Sequence, residues 1–178
     1  MKIIAGLAKG TKLAGPKHLN IRPTENRVKE AIFSIIHFQI QNSTVLDLFA
    51  GSGQLALEAL SRGAAFSTCV DNSRYANKIQ IENFKKAKLS DKVKLVVCDA
   101  VKFCKKNNDT FDFVFLDPPY GSKLLFDVLK IIYKNLNPFG RIICEPETCL
   151  KMPANFENIK LQKQYCYGRI SVTFYEKL

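Results

Sequence analysis

Four consecutive residues, Asp117-Pro118-Pro119-Tyr120, hold the densest chemistry in this 178-residue chain. They follow an apolar run, Phe111 to Leu116, that reads as a buried strand. Two prolines in a row end a strand and stiffen the backbone. A carboxylate, the Pro118 carbonyl, the Pro119 ring and the Tyr120 ring are therefore predicted at a strand's C-terminal end. Open α/β sheets place their ligands there. Asp117 and the Pro118 carbonyl can both accept hydrogen bonds from one NH₂ group, and an aromatic ring can stack on the base that bears it. The competing reading is an ordinary strand-ending turn, and the rest of the chain must weigh against it.

A second group is Asp47-Leu48-Phe49-Ala50-Gly51-Ser52-Gly53, between an apolar strand and a helix. Gly51 and Gly53 permit a tight turn and let a ligand approach the backbone. The spacing is not G-x-G-x-x-G and the Lys-Ser/Thr of a phosphate loop is missing, so pyrophosphate binding is disfavoured. A carboxylate ahead of the glycines repels phosphate but suits a cationic or amino-bearing ligand. Asp71 ends the next predicted strand, where an acid can accept both ribose hydroxyls of an adenosine. Asp99 ends the third; it can accept from an adenine amine while the N–H of Ala100 donates to the ring, or it can simply cap a helix. Acids at four strand ends, in one order, argue against coincidence.

The elements that must position these residues alternate. Thr44–Phe49, Phe66–Val70, Lys94–Cys98, Phe111–Leu116 and Arg141–Glu145 read as strands. Helices are predicted over Gln54–Ser61, Arg74–Lys88, Val101–Lys105 and Lys123–Leu136. Such alternation means a parallel sheet with right-handed crossovers. Two further strands, Ile159–Gln164 and Arg169–Tyr175, suggest an antiparallel C-terminal edge and seven strands in all. Upstream, a Lys- and Gly-rich stretch with weak β pattern around Ile3-Ile4 and Lys12-Leu13 predicts a hairpin or an extended arm. Thr24 is placed to cap a helix whose apolar stripe is Val28, Ala31, Ile32, Ile35 and Ile36. The chain thus reads as a single α/β domain, residues 1–178, with an arm and helix over 1–43 and a core over 44–178.

Charge and composition narrow the partners. Lys and Arg number 27 against 16 Asp and Glu, a net charge of +11 that favours polyanions and nucleic acid above all. Lys9, Lys12, Lys17, Arg22 and Lys29 give the N-terminal region a basic face for phosphates. No apolar stretch reaches the ~20 residues of a membrane helix, and the opening lacks a signal-peptide layout, so a soluble cytoplasmic protein is expected. The six cysteines form no C-x-x-C pair, and the two histidines lie far from them; reduced thiols and no metal are expected.

Taken together, D-L-F-A-G-S-G at 47–53, Asp71, Asp99 and D-P-P-Y at 117–120 resemble a class I S-adenosylmethionine-dependent methyltransferase of Rossmann-like fold. The chain more narrowly resembles the RsmD family of small-subunit rRNA guanine-N2 methyltransferases. Arg22-Pro23-Thr24, Arg27 and Glu30 fit that family's R-P-T-x-x-R-V-R-E segment, with Lys29 in place of its second Arg. Leu57-Glu58-Ala59-Leu60-Ser61-Arg62 and Glu145 also fit, while Ala5-Gly6-Leu7-Ala8 departs from an opening that usually carries two adjacent glycines and an aromatic. The resemblance implies methyl transfer from S-adenosylmethionine to a guanine N2 in 16S rRNA, in the small subunit; a monomer is expected. It implies catalysis by Asp117, Pro118 and Tyr120, with Asp47, Phe49, Gly51, Gly53, Asp71, Asp99 and Ala100 around the cofactor. Arg22 and Thr24 would also lie over the cofactor, and Pro119, Tyr120, Arg27, Lys9 and Lys12 would face RNA. For Arg27 a solvated helix start is an equal reading. Two rivals follow from the same residues: DNA adenine-N6 methylation, and a non-catalytic RNA-binding assembly factor.

Overall fold

The computed structural model describes residues 1–15, 26–119, 123–146, 150–167 and 170–178. The N-terminal arm closes on itself as a small hairpin: Lys2 and Lys12 form an antiparallel bridge, Gly10 N–H donates to the Ile3 carbonyl, and Leu13 N–H donates to the Met1 carbonyl. Ile3 and Leu13 point into the core. Helix α1 (Asn26–Ile35) buries Val28, Lys29, Ile32 and Phe33, and Ile36 just beyond its end is also buried. The buried face is therefore rotated from the expected stripe: Ile35 is exposed, and Phe33 and Lys29 take its share. The expected cap, Thr24, lies outside the described residues.

The core follows as β1 (Thr44–Asp47), α2 (Gln54–Ser61), β2 (Phe66–Asp71), α3 (Arg74–Ala87), β3 (Val93–Val97), α4 (Ala100–Lys106), β4 (Phe111–Leu116) and α5 (Leu124–Ile132). Then come β5 (Leu136–Cys144), β6 (Asn155–Phe156), β7 (Ile159–Tyr167) and β8 (Ile170–Lys177). The sheet order is β3-β2-β1-β4-β5-β8-β7-β6, with β1 to β5 parallel and β8, β7 and β6 antiparallel. This is the α/β architecture expected, with an eighth strand where seven were counted. The addition is the two-residue β6, too short to show a period in sequence.

Side chains alternate across the sheet as the pleat requires. Phe113 and Phe115 of β4 face the arm, α1, α2 and α3, where Ile32, Phe33, Leu57 and Phe84 complete one core. Val114 and Leu116 face α4 and α5, with Phe103, Val128, Leu129 and Ile132. Two starts and stops differ from the periodicity. The helix expected to run to Leu136 ends at Ile132 and tightens into a 3₁₀ turn, Tyr133–Asn135. Strand β5 starts at Leu136 rather than Arg141, carrying Asn137-Pro138-Phe139-Gly140 in a register shift against Phe111 and Phe113.

The sequence of crossovers reverses at β1 and β4, which are neighbours although far apart in the chain. Crevices at such reversals, outside the strands' C-terminal ends, are where open α/β sheets bind ligands. Asp47 ends β1 and Asp117 follows β4 directly, so both stand at that point.

Candidate active site

The loop after β1 is pinned on both sides. Leu48 N–H donates to the Phe115 carbonyl and Ala50 N–H to the Val70 carbonyl, carrying the backbone between β4 and β2. Gly51 and Gly53 then turn left-handed, φ 51° and 77°. A Cβ on Gly53 would also come within 2.9 Å of the Phe84 ring, so glycine serves both the turn and the packing of α3. A Cβ on Gly51 would meet nothing closer than 4.0 Å, so that side of the loop is open to a ligand. Phe49 is half-buried against the α4–α5 core.

Asp71 does something the sequence did not announce. Its Oδ2 accepts the Gly51 N–H at 2.8 Å and its Oδ1 accepts the Ser73 N–H at 2.8 Å. The carboxylate thus shapes the glycine loop, and each oxygen keeps a second lone pair for a ligand. Two buried amides missed by sequence reasoning share the task. Gln80 Nε2 donates to the Gly51 carbonyl at 2.9 Å. Asn83 Nδ2 donates to the carbonyls of Ser52 (2.9 Å) and Ala14 (3.0 Å), while its Oδ1 accepts Ala14 N–H at 2.8 Å, tying arm to loop. The available signal was Gln80 and Asn83 falling on the helix face that Ala76, Ile79, Phe84 and Ala87 make apolar.

Asp47 is buried, with one long hydrogen bond from Ala56 N–H at 3.3 Å. Burial pushes its carboxyl up to about 7; the Ala56 N–H opposes this, and the charges of Asp117 and Asp71 add to it. That mutual influence places Asp47, Asp71 and Asp117 in one electrostatic neighbourhood. Nearby, Gln54 Oε1 at the start of α2 is buried with no hydrogen-bond partner among the described residues. A buried unpaired acceptor and a reluctant carboxylate fit a cationic, amino-bearing ligand. On the other side, Glu145 N–H donates to the Leu116 carbonyl at 2.9 Å, fixing the end of β5 beside the acid. Asp117 is half-buried, Pro118 buried and Pro119 exposed.

The remaining candidates divide. Asp99 caps α4, its Oδ1 accepting Lys102 N–H at 2.9 Å, with Ala100 buried behind it. Arg27 is exposed in the first turn of α1, and Lys9 and Lys12 are exposed on the arm. Tyr120, Arg22, Thr24 and Lys17 lie outside the described residues. Lys29 corrects the expectation of a basic face. It is 0% exposed, its Nζ donates to the Lys2 carbonyl at 2.8 Å, and it stands 3.6 Å from Glu58 Oε2. Burial lowers its pKa, with Glu58 resisting. Glu58 also takes Arg62 Nε at 2.8 Å and the N–H groups of Ile4 and Ala5 at 2.8 and 3.0 Å. Lys29 therefore welds α1, α2 and the arm and touches no phosphate. Among the described residues no group of three or more His, Cys, Asp or Glu could hold a metal ion.

A mostly parallel sheet reversing at β1 and β4, a glycine loop and acids at the strand ends define a Rossmann-like methyltransferase fold. A solved Escherichia coli structure named for a methyltransferase, yhhF, matches it with a TM-score of 0.89 and 32% identity, covering 99% of this chain and 97% of that one. The family model described as Conserved hypothetical protein 95 matches residues 1–176, and the chain belongs to that family, the RsmD family. Two relatives are named Ribosomal RNA small subunit methyltransferase D. The Escherichia coli K12 protein is 31% identical over 179 residues, 99% of this chain and 90% of that protein. The Haemophilus influenzae protein is 35% identical over 182 residues, 99% and 93% respectively.

Proposed function

We propose that this protein transfers a methyl group from S-adenosylmethionine to the exocyclic N2 amine of a guanine in 16S rRNA. The observation that carries the reading is Asp117-Pro118 at the end of β4, across the reversal point from the buried Asp47 and its glycine loop. The names of the relatives support rRNA as substrate; the guanine nitrogen rests on the D-P-P-Y resemblance.

S-adenosylmethionine, when bound, supplies an activated methyl on a sulfonium. Asp47 would receive its amino group, Gly51 and Gly53 would admit the chain between, Asp71 would hold the ribose, and Asp99 and Ala100 the adenine. A buried carboxylate with a single long hydrogen bond gains most from a cation, because the site is otherwise poor in compensation. Arg22 and Thr24 are proposed over the cofactor on sequence position.

Asp117 and the Pro118 carbonyl would accept the two hydrogens of the guanine amine. That orients the nitrogen lone pair away from both acceptors. A hydrogen bond to a charged group contributes about 1.5–3 kcal/mol, and alignment of the reacting atoms several more. As the nitrogen gains positive charge, the Asp117 carboxylate stabilises it and takes the proton, directly or through water. Tyr120 would stack on the base, worth about 1–3 kcal/mol. Pro119, exposed, and Arg27, Lys9 and Lys12, all solvent-facing, would meet RNA.

The test is label transfer from radiolabelled S-adenosylmethionine to undermethylated small subunits, with naked rRNA and duplex DNA alongside. N2-methylguanine in the subunit RNA is expected. Label in DNA adenine, or none anywhere with cofactor still bound, would overturn the reading.

A further inference from the structure

Opposite the acids, at the N-terminal ends of the parallel strands, the protein shows two nearly naked phenylalanines. Phe38, just past α1, is 94% exposed, and Phe139, in β5, is 82% exposed. Phe139 also has φ 63°, a left-handed conformation that an aromatic residue adopts at a cost. Glycine would be the unstrained choice in that turn. A strained, solvated aromatic ring earns nothing for the fold.

The two rings belong to one stitched surface. Arg141 Nη1 donates to Gln39 Oε1 at 2.6 Å, joining the segment after Phe38 to the strand after Phe139. Asn137 Nδ2 donates to Asp112 Oδ1 at 2.8 Å, and Asn135 Nδ2 donates to the Asn107 and Asp109 carbonyls at 3.0 and 2.9 Å. Those bonds bring in the end of α4, with exposed Lys105 and Lys106, and exposed Lys134 beside Asn135. Lysines in a helix's last turn also complement its dipole, which accounts for Lys105 and Lys106 but for neither ring. Arg141 is already paired with Glu176 at 3.0 Å, so the cations offered are the lysines.

We infer that this rim, carrying Phe38 and Phe139 on segments tied to those of Lys105, Lys106 and Lys134, is a second docking surface for the RNA substrate, on the face away from methyl transfer. It rests on the reading of the substrate as rRNA. Aromatic rings among lysines suit unstacked bases on a phosphate chain, since stacking is indifferent to sequence and the cations follow the backbone. The chain's +11 charge favours a polyanion over an apolar protein partner.

The test is the double variant Phe38→Ala/Phe139→Gly, assayed on undermethylated small subunits. With stacking at about 1–3 kcal/mol per base, KM for subunits should rise about tenfold or more. The kcat and the S-adenosylmethionine Kd should not change, and the Tm should hold or rise because Phe139→Gly relieves the left-handed strain. A merely structural role for the rings would instead lower Tm. Lys105→Gln/Lys106→Gln/Lys134→Gln should flatten the dependence of log KM on log salt. Wild-type label transfer with an unchanged KM in the double variant would overturn this surface alone. Wild-type protein that labels no RNA would overturn the substrate reading and this surface with it. A wild-type dimer dispersed by the double variant would give the surface to a second copy and also overturn the inference.

Discussion

Asp47→Asn probes whether the end of β1 is built to receive a cation. Burial is the chief reason the Asp47 carboxyl rises from 3.8 to about 7. Without a ligand, the native protein therefore holds a proton that the unfolded chain gives up at lower pH. Between those two values the native state binds more protons than the unfolded one, so stability falls as pH rises. The interval from 3.8 to about 7, at about 1.36 kcal/mol per pH unit, comes to about 4 kcal/mol, fully developed above pH ~7 and absent below the unfolded value. Asparagine keeps an acceptor for Ala56 N–H and never ionises. The variant should match wild type near pH ~3.5 and exceed it by about 4 kcal/mol at pH ~8, roughly 8–16 °C in Tm for a chain of this size. The same change removes a ligand's anionic partner, so S-adenosylmethionine affinity at pH ~8 should drop by at least about tenfold. Thermal melts across pH on ligand-free protein, with titration calorimetry at the high end, read both. A variant whose Tm tracks wild type at every pH, or that binds cofactor equally well, would refute the argument.

Other perturbations separate chemistry from scaffold. Asp117→Ala should lower kcat about 10- to 150-fold, from the loss of a charged hydrogen bond, with cofactor Kd unchanged by calorimetry. Lys29→Met should destabilise by about 3–5 kcal/mol in urea melts, because Glu58 is left buried with one fewer cation. The salt dependence of RNA binding should stay unchanged, whereas loss of a phosphate-contacting lysine would flatten it. Gly6→Ala would drive a Cβ into the Ser61 carbonyl oxygen at φ 83°, and should cost at least about 2 kcal/mol and open the arm to limited proteolysis.

Much of this protein is written along the chain. Phe111–Leu116 is a strand because its apolar run is short and proline-terminated, and the structure ends it at the same residue. The left-handed glycines at 51 and 53 and the helix behind them follow from local backbone freedom. Strand–helix alternation sufficed for a parallel sheet because crossovers have one hand.

Tertiary structure alone decided the rest, for want of any local signal. Lys29 sits on a helix among charges and reads as solvated; only the approach of Glu58, 29 residues away and itself buried, shows it to be interior. Asp71 looked free for a ribose, yet its first partners are the Gly51 and Ser73 amides, a contact set by the pairing of β1 with β2. Phe139 lies between the predicted helix and the predicted fifth strand; its left-handed backbone and exposure accompany the register shift between β4 and β5. Residue types and short spacings settle what a segment can become. Which buried charges meet, and which rings stay in water, depends on contacts between segments far apart in the chain.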